Sequence, residues 1–154
     1  MPMPLLALLI GFFVGLRSLT PPAATAWAGH LGWMKLGRGL AWLGTLPATI
    51  LFTALALFEL VNDKLPKTPS RTAPPGLIAR IVMGGFTGAC VGSAGNMGLV
   101  TSALLGIIGA LVGTFGGYQV RTRLVKALGT PDFVIAIIED LVAIGGSLWV
   151  VSRF

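Results

Sequence analysis

PDFVIAIIEDLVAIGGSLWVVS, residues 131–152, is the stretch that decides the fold. In a helix, roughly 20 apolar residues at 1.5 Å each reach about 30 Å, the thickness of a bilayer's hydrocarbon core. The stretch is long enough to cross, yet it carries Glu139 and Asp140 in its first half. A carboxylate at mid-membrane costs about 2.5 kcal/mol or more, so this pair must turn inward, find partners or hold a proton. What the two groups meet has to come from the rest of the chain.

Of 154 residues, 55% are hydrophobic and 10% charged, with 22 glycines. Soluble domains carry charge on about a quarter of their residues. Here several apolar runs each approach spanning length, which defines an all-α, polytopic helical membrane protein with one transmembrane domain over residues 1–154. A net charge of +6 would suggest nucleic acid if the protein were soluble. Its basic residues lie between apolar runs, where helix orientation accounts for them, and no nucleic-acid partner is expected. Cys90 stands alone in an apolar run and His30 has no second His or Cys at ligand spacing, so neither a disulfide nor a metal site is expected. The N-terminal MPMPLLALLIGFFVGL lacks the basic region of a secretory signal and reads as a retained first helix, although Ala26, Trp27 and Ala28 mimic a cleavage site.

Outward from the N-terminus, a first helix runs from about Pro4 to Ser18 and stops at Thr20, Pro21 and Pro22, because paired prolines remove backbone donors. Residues 23–34 are apolar but too short to cross. They read as a re-entrant half-helix or an interfacial segment, with Trp27, Trp33 and Trp42 near the headgroups. Broken backbone of this kind is tolerated only beside protein or a watery cavity. A second helix is expected over Leu40–Val61, followed by the proline- and cation-rich loop 62–76. A third helix, Leu77–Ala94, carries Gly84, Gly88 and Gly92. A fourth, Leu99–Tyr118, carries Ser102, Gly106, Gly109, Gly113 and Gly117. Such small-residue stripes let backbones approach closely, so these two helices form a tight hairpin, or else the stripe serves a homo-oligomer. After a basic loop over 119–130, the fifth helix begins at Pro131. The fold expected is therefore about five transmembrane helices with a broken or re-entrant segment after the first. IGFFVG (10–15) is similar to IGALVG (108–113), and ALFELV (56–61) to AIIEDLV (136–142). With five crossings each pair would run oppositely, as in the inverted repeats of transporters.

Lys and Arg cluster in 62–80 and 121–126, which places loops 62–76 and 119–130 in the cytoplasm. Five crossings then put the N-terminus inside and Phe154 outside. A sixth crossing by residues 21–36 would move only the N-terminus.

This orientation brings Glu59, Asp63, Arg80, Glu139 and Asp140 into one layer of the bundle, with Arg121 and Arg123 at its rim. Two readings of the layer compete. In one the charges neutralise one another, Arg80 pairing with Glu59 or Glu139. In the other they form a substrate or ion site, where Glu139 or Glu59 changes protonation as a small ion or solute moves. Lys67, Ser70, Arg71 and Thr72 precede a helix start and suit an anion or lipid headgroup. Arg17 lies just before the break and reads as snorkelling to the interface, the alternative being a cavity-facing side chain. No nucleophile, metal cluster or phosphotransferase motif is visible, so no enzyme activity and no cofactor are expected.

The stretches GLRSLTPPAATAW (15–27), ELVNDKLPKTPSRT (59–72), GGYQVR (116–121) and PDFVIAIIEDLVAIGG (131–146) resemble a known family, the small bacterial integral membrane proteins grouped as domain of unknown function 4126. The resemblance covers nearly the whole chain. It implies a helical fold in the bacterial inner membrane and brings no catalytic residue. The function expected is a small transporter or permeation protein. The rival is a non-transporting protein that binds anionic membrane lipid or scaffolds a complex. A watery cavity reaching Glu139 would favour the first, and a packed charge cluster with a groove near Lys67 and Arg71 the second.

Overall fold

Proline sets where most of the helices start. In the computed structural model, which describes residues 1–154, α1 (Met3–Leu16) has Pro4 in its first turn. α3 (Leu46–Asn62) has Pro47 there, and α4 (Pro74–Ala94) opens on two prolines. A proline's missing N–H and fixed φ cost nothing in a first turn. The same rule corrects the expected stop at Pro21 and Pro22. The first helix already ends at Leu16, and these prolines lie in the opening turn of a separate helix, α2 (Thr20–His30). The expected start of the second helix at Leu40 is also corrected: Ala41–Gly44 form a single 3-10 turn, and the α-helix begins only at Leu46, beside Pro47.

At the other end of the chain, α5 (Leu99–Leu128) runs ten residues past Tyr118, so most of the expected loop 119–130 is helix. Gly129 stops it in the left-handed conformation (φ 60°) that glycine adopts without steric cost. Pro131 then precedes α6 (Asp132–Val151). The architecture is all-helical, with no strand. Three helices, α4, α5 and α6, are long and apolar enough to cross a bilayer. α2, at 11 residues, rises only about 16 Å and is enclosed by its neighbours, with Ala24, Ala26 and Ala28 buried.

Successive helices run back and forth. Leu6 and Ala7 near the start of α1 share a buried cluster with Ala28, Met34, Val91 near the end of α4, and Val150 and Val151 at the end of α6. Both chain termini therefore lie at one end of the bundle, the arrangement expected if residues 21–36 return the chain rather than re-enter. Loop 62–76 and the starts of α4 and α6 lie at the other, charged end. Glycine joins the middle of the bundle. Gly84 lies on Gly106 and Gly88 on Ser102, so α4 and α5 oppose each other as the expected close hairpin. Gly11 meets Gly106 and Gly15 meets Ala110, so α1 and α5 run in the same direction. A Cβ on Gly106 would stand 2.1 Å from the Gly84 carbonyl oxygen, closer than any side chain tolerates.

That parallel contact corrects the repeat. IGFFVG and IGALVG lie on α1 and α5, which are not inverted. Among these pairs only α3 and α6, which carry ALFELV and AIIEDLV, run oppositely. Large apolar side chains such as Leu57, Phe58, Val82, Ile108, Val112 and Leu141 are exposed around the outside, while the interior combines apolar clusters around Leu6, Ile10 and Val91 with buried small, polar and charged residues. In water such an outside would be an aggregation surface; in a bilayer it is the solvated one. This is a helical membrane protein.

Candidate functional site

The chain break between α1 and α2 creates the site. Where α1 stops, its last carbonyls lose their intrahelical donors, and where α2 starts, its first amides lose their acceptors. Glu59, from the last turn of α3, meets the amides. Its Oε1 accepts from the Ser18 amide at 2.8 Å and the Ser18 hydroxyl at 2.5 Å, and its Oε2 from the Leu19 amide at 2.8 Å. A carboxylate at a helix N-terminus also meets the positive end of the helix dipole. Arg80 meets one of the carbonyls: its Nε donates to Gly15 O at 3.1 Å, while its Nη1 donates to Gly76 O in its own helix at 3.1 Å.

Arg17 occupies the break itself. It is not at the interface, as snorkelling would require, but fully buried at 0% exposure. Its Nε donates to Asp140 Oδ1 at 2.5 Å, its Nη1 pairs with Asp63, and its Nη2 lies 3.8 Å from Glu139 Oε2 without a hydrogen-bond partner. The extended backbone at Arg17 (φ −140°, ψ 115°) turns the side chain away from the run of α1 and into the bundle. One guanidinium thus faces three carboxylates drawn from the end of α3 and the middle of α6.

The acidic pair of α6 points inward, as its cost in hydrocarbon demands. Asp140 receives Lys64 Nζ at 2.5 Å as well as Arg17. Glu139 is gripped by both Nη atoms of Arg71, at 2.5 and 2.7 Å, and by Arg121 Nη1 at 3.3 Å. Arg121 in turn makes a two-point bond to Asp132 at the start of α6, at 2.8 and 2.5 Å. Room for the Arg71–Glu139 pair depends on Gly117, where a Cβ would stand 3.2 Å from Glu139 Oε1 and 2.5 Å from the Leu16 side chain.

The structure therefore brings Glu59, Asp63, Arg80, Glu139 and Asp140 to one end of the bundle, joined by Arg121. It does not pair Arg80 with Glu59 or Glu139; Arg80 donates instead to Gly15 O at the end of the broken helix and to Gly76 O within α4. Of the four residues read as an anion cradle, Ser70 and Arg71 wall the cavity at this end and Lys67 and Thr72 do not. Arg71 is committed to Glu139, Ser70 and Thr72 bond each other at 2.9 Å, and Lys67 is exposed without a bond. Arg123 is likewise exposed on the outer turns of α5, without an ion pair. Sequence reasoning left out Arg17, Lys64 and Asp132. For Arg17 a signal existed, since it is the only cation in the first 34 residues and stands directly at the break.

All five carboxylates of the protein belong to this cluster, and Arg17, Lys64, Arg71, Arg80 and Arg121 stand against them. The cluster is thus neutral, and the formal charge of +6 resides on the cations outside it. A cavity of about 690 Å³ opens at this end, walled by Glu59, Asp63, Arg71, Arg80, Tyr118 and Arg121 among others. Glu139 lies behind Arg71 and does not line it. A second, apolar groove of about 320 Å³ runs between Phe12, Val112, Val120, Ile138 and Val142 on the lipid-facing side, with Arg121 and Glu139 at one end.

No curated protein and no solved structure matches the chain. A family model does: the domain of unknown function DUF4126 matches residues 5–152, which takes in α1 through α6 and every residue of the charged cluster, and the chain belongs to that family.

Proposed function

We propose that the protein is a small transport or permeation protein of the bacterial inner membrane, with its charged end toward the cytoplasm. The observation that carries the reading is the 690 Å³ cavity at that end, whose floor is a layer of interhelical ion pairs. In this reading the cavity is the aqueous vestibule and the layer a closed gate. Arg71 ties loop 62–76 to α6, and Arg17 ties the α1–α2 break to α3 and α6. Moving Arg71 off Glu139 would extend the cavity inward, and a proton or cation taken up by Glu139 or Asp140 is the natural replacement for the lost partner. The orientation is supported by Lys64, Lys67, Arg71, Arg121, Arg123 and Lys126, all on segments emerging at the charged end. A homo-oligomer is proposed because transporters this small often need a second copy.

Liposomes containing the purified protein and an entrapped pH dye test this reading. With an imposed pH gradient and a panel of small ions and metabolite anions, wild-type protein is expected to dissipate the gradient faster than protein-free liposomes, and Glu139→Gln to abolish the difference. Because that variant strands Arg71, the double variant R71Q/E139Q serves as the control for folding. Rates equal to those of empty liposomes for every solute would remove the transport reading.

The second reading is a non-transporting protein that binds anionic lipid. It is favoured by one observation: Glu139 and Asp140 are saturated with cations and lie out of reach of the cavity.

A further inference from the structure

We propose that the cavity at the charged end binds an oxyanion of the phosphate class, with Arg80 as its buried cation. The inference deepens the reading of that cavity as a substrate vestibule by naming the ligand chemistry, and rests on it only for movement across the membrane.

The sign of the ligand follows from which groups are already committed. Each carboxylate on the cavity wall is engaged: Glu59 by the Ser18 and Leu19 donors, Asp63 by Arg17, and Asp132 by the two-point bond from Arg121. A cation entering the cavity would have to displace one of these partners. Among the cations the position is different. Arg17, Lys64, Arg71 and Arg121 each pair with a carboxylate, whereas Arg80, 5% exposed, is bonded only to the carbonyls of Gly15 and Gly76. A guanidinium cannot lose its proton in a protein, so this charge stands on the wall without a counterion in contact.

Neighbouring groups add donors of the same kind. The N-terminus of α4, a helix of 21 residues, opens beside Arg80, and Pro75 and Gly76 are part of the wall. Its dipole favours negative charge there, and because the helix opens on two prolines and the Leu77 amide is bonded to Ala73 O, the one free amide it offers is that of Gly76. Asn62 and Tyr118 line the cavity with side-chain donors that make no hydrogen bond within the protein. Donors thus come from α3, α4 and α5, and a tetrahedral oxyanion has acceptor oxygens on several sides to meet them. At about 690 Å³ the space is far larger than a bare phosphate and lies in the range of small-ligand pockets, so an ester with an organic substituent fits. Such a group reaches the cavity either as a soluble phosphate ester or as the headgroup of an anionic lipid.

The test uses the full chain and two probes. In detergent, binding of inorganic phosphate and of glycerol 3-phosphate is measured by calorimetry. In nanodiscs of phosphatidylcholine with or without phosphatidylglycerol, retained lipid is measured by native mass spectrometry. Wild-type protein is expected to bind at least one probe, Arg80→Gln to weaken that binding about tenfold or more, and Arg123→Gln to leave it unchanged. Should Arg80→Gln fail to fold, Asn62→Ala and Tyr118→Phe are read instead, each with a several-fold loss. Binding of the soluble probes alone identifies a water-soluble ester, and selective retention of phosphatidylglycerol identifies a lipid. Wild-type affinity in the cavity variants, or no binding of either probe, overturns the proposal. Phosphate binding without flux sinks transport only, and flux with no Arg80-dependent binding sinks the oxyanion site only.

Discussion

At the residue scale, Arg17 is the group on which most others depend. Removing one partner from a buried ion pair leaves the rest uncompensated and costs about 3–5 kcal/mol. Arg17→Gln strands Asp63 and half of Asp140's compensation, and is expected to lower stability by about that amount in denaturant unfolding in detergent. Arg17→Lys is expected not to rescue it, because a single ammonium cannot serve Asp63 and Asp140 through separate nitrogens as the guanidinium fork does. How far these roles are legible in the sequence depends on the residue. Glu139 and Asp140 had to turn inward on cost alone, and they do. Arg17 was legible only in part: its place at the break marks it out, but a lone arginine after an apolar run has the same composition whether it snorkels outward or turns in. What separates the two is the backbone angle at the break, which no residue type announces. Arg80 and Glu59 belong to the expected layer, but the pairing of Arg80 with Glu59 or Glu139 that one reading offers does not form, since the Ser18 and Leu19 amides and the Gly15 carbonyl that claim them are freed only once the helix is broken.

At the element scale, the seam where α1, α4 and α5 meet leaves no room for side chains. Gly106→Ala puts a methyl group 2.1 Å from the Gly84 carbonyl oxygen and must push two backbones apart, a cost of about 1–3 kcal/mol or more. Gly116→Ala, on the same helix with open space around it, is expected to be slightly stabilising, by about 0.5–1 kcal/mol at most. Comparing the two by thermal unfolding and by size-exclusion profile separates seam packing from helix propensity. Overlap of the two results would show that the seam does not hold the bundle together. Gly117→Ala belongs to the same series but acts on the ion pairs: it crowds Glu139 and Arg71, so under the proposed transport reading its larger effect is expected on flux. The glycine intervals announced this packing in the sequence. Helix limits were less readable. Proline opens a helix as readily as it closes one, and a basic, proline-free stretch such as 119–128 has the composition of both a loop and a helix leaving the membrane.

At the scale of the whole molecule, the back-and-forth order of helices sets both termini against the charged end. Single cysteines at Pro2 and Ser152 are expected to react with an impermeant maleimide from one side of the membrane, and cysteines at Lys67 and Lys126 from the other. Cys90 is buried and stays silent. Labelling of positions 2 and 152 from opposite faces would restore an odd number of crossings. The tryptophans reinforce the polarity. Trp33, Trp42 and Trp149 gather toward the terminal end, where Trp42 stacks on Phe86 and Arg153 lies 4.5 Å over the Trp149 ring, while every acid lies at the opposite end.

Arg17 and Asp140 are separated by 123 positions along the chain. On the ribosome, the arginine is threaded into the membrane long before the last helix that neutralises it has been translated. Until the final segment arrives, Asp63 is the one carboxylate partner Arg17 has. A message truncated ahead of that segment would release a polypeptide in which Arg17 keeps Asp63 but loses Asp140, and Lys64 and Arg71 lose the only carboxylates they pair with.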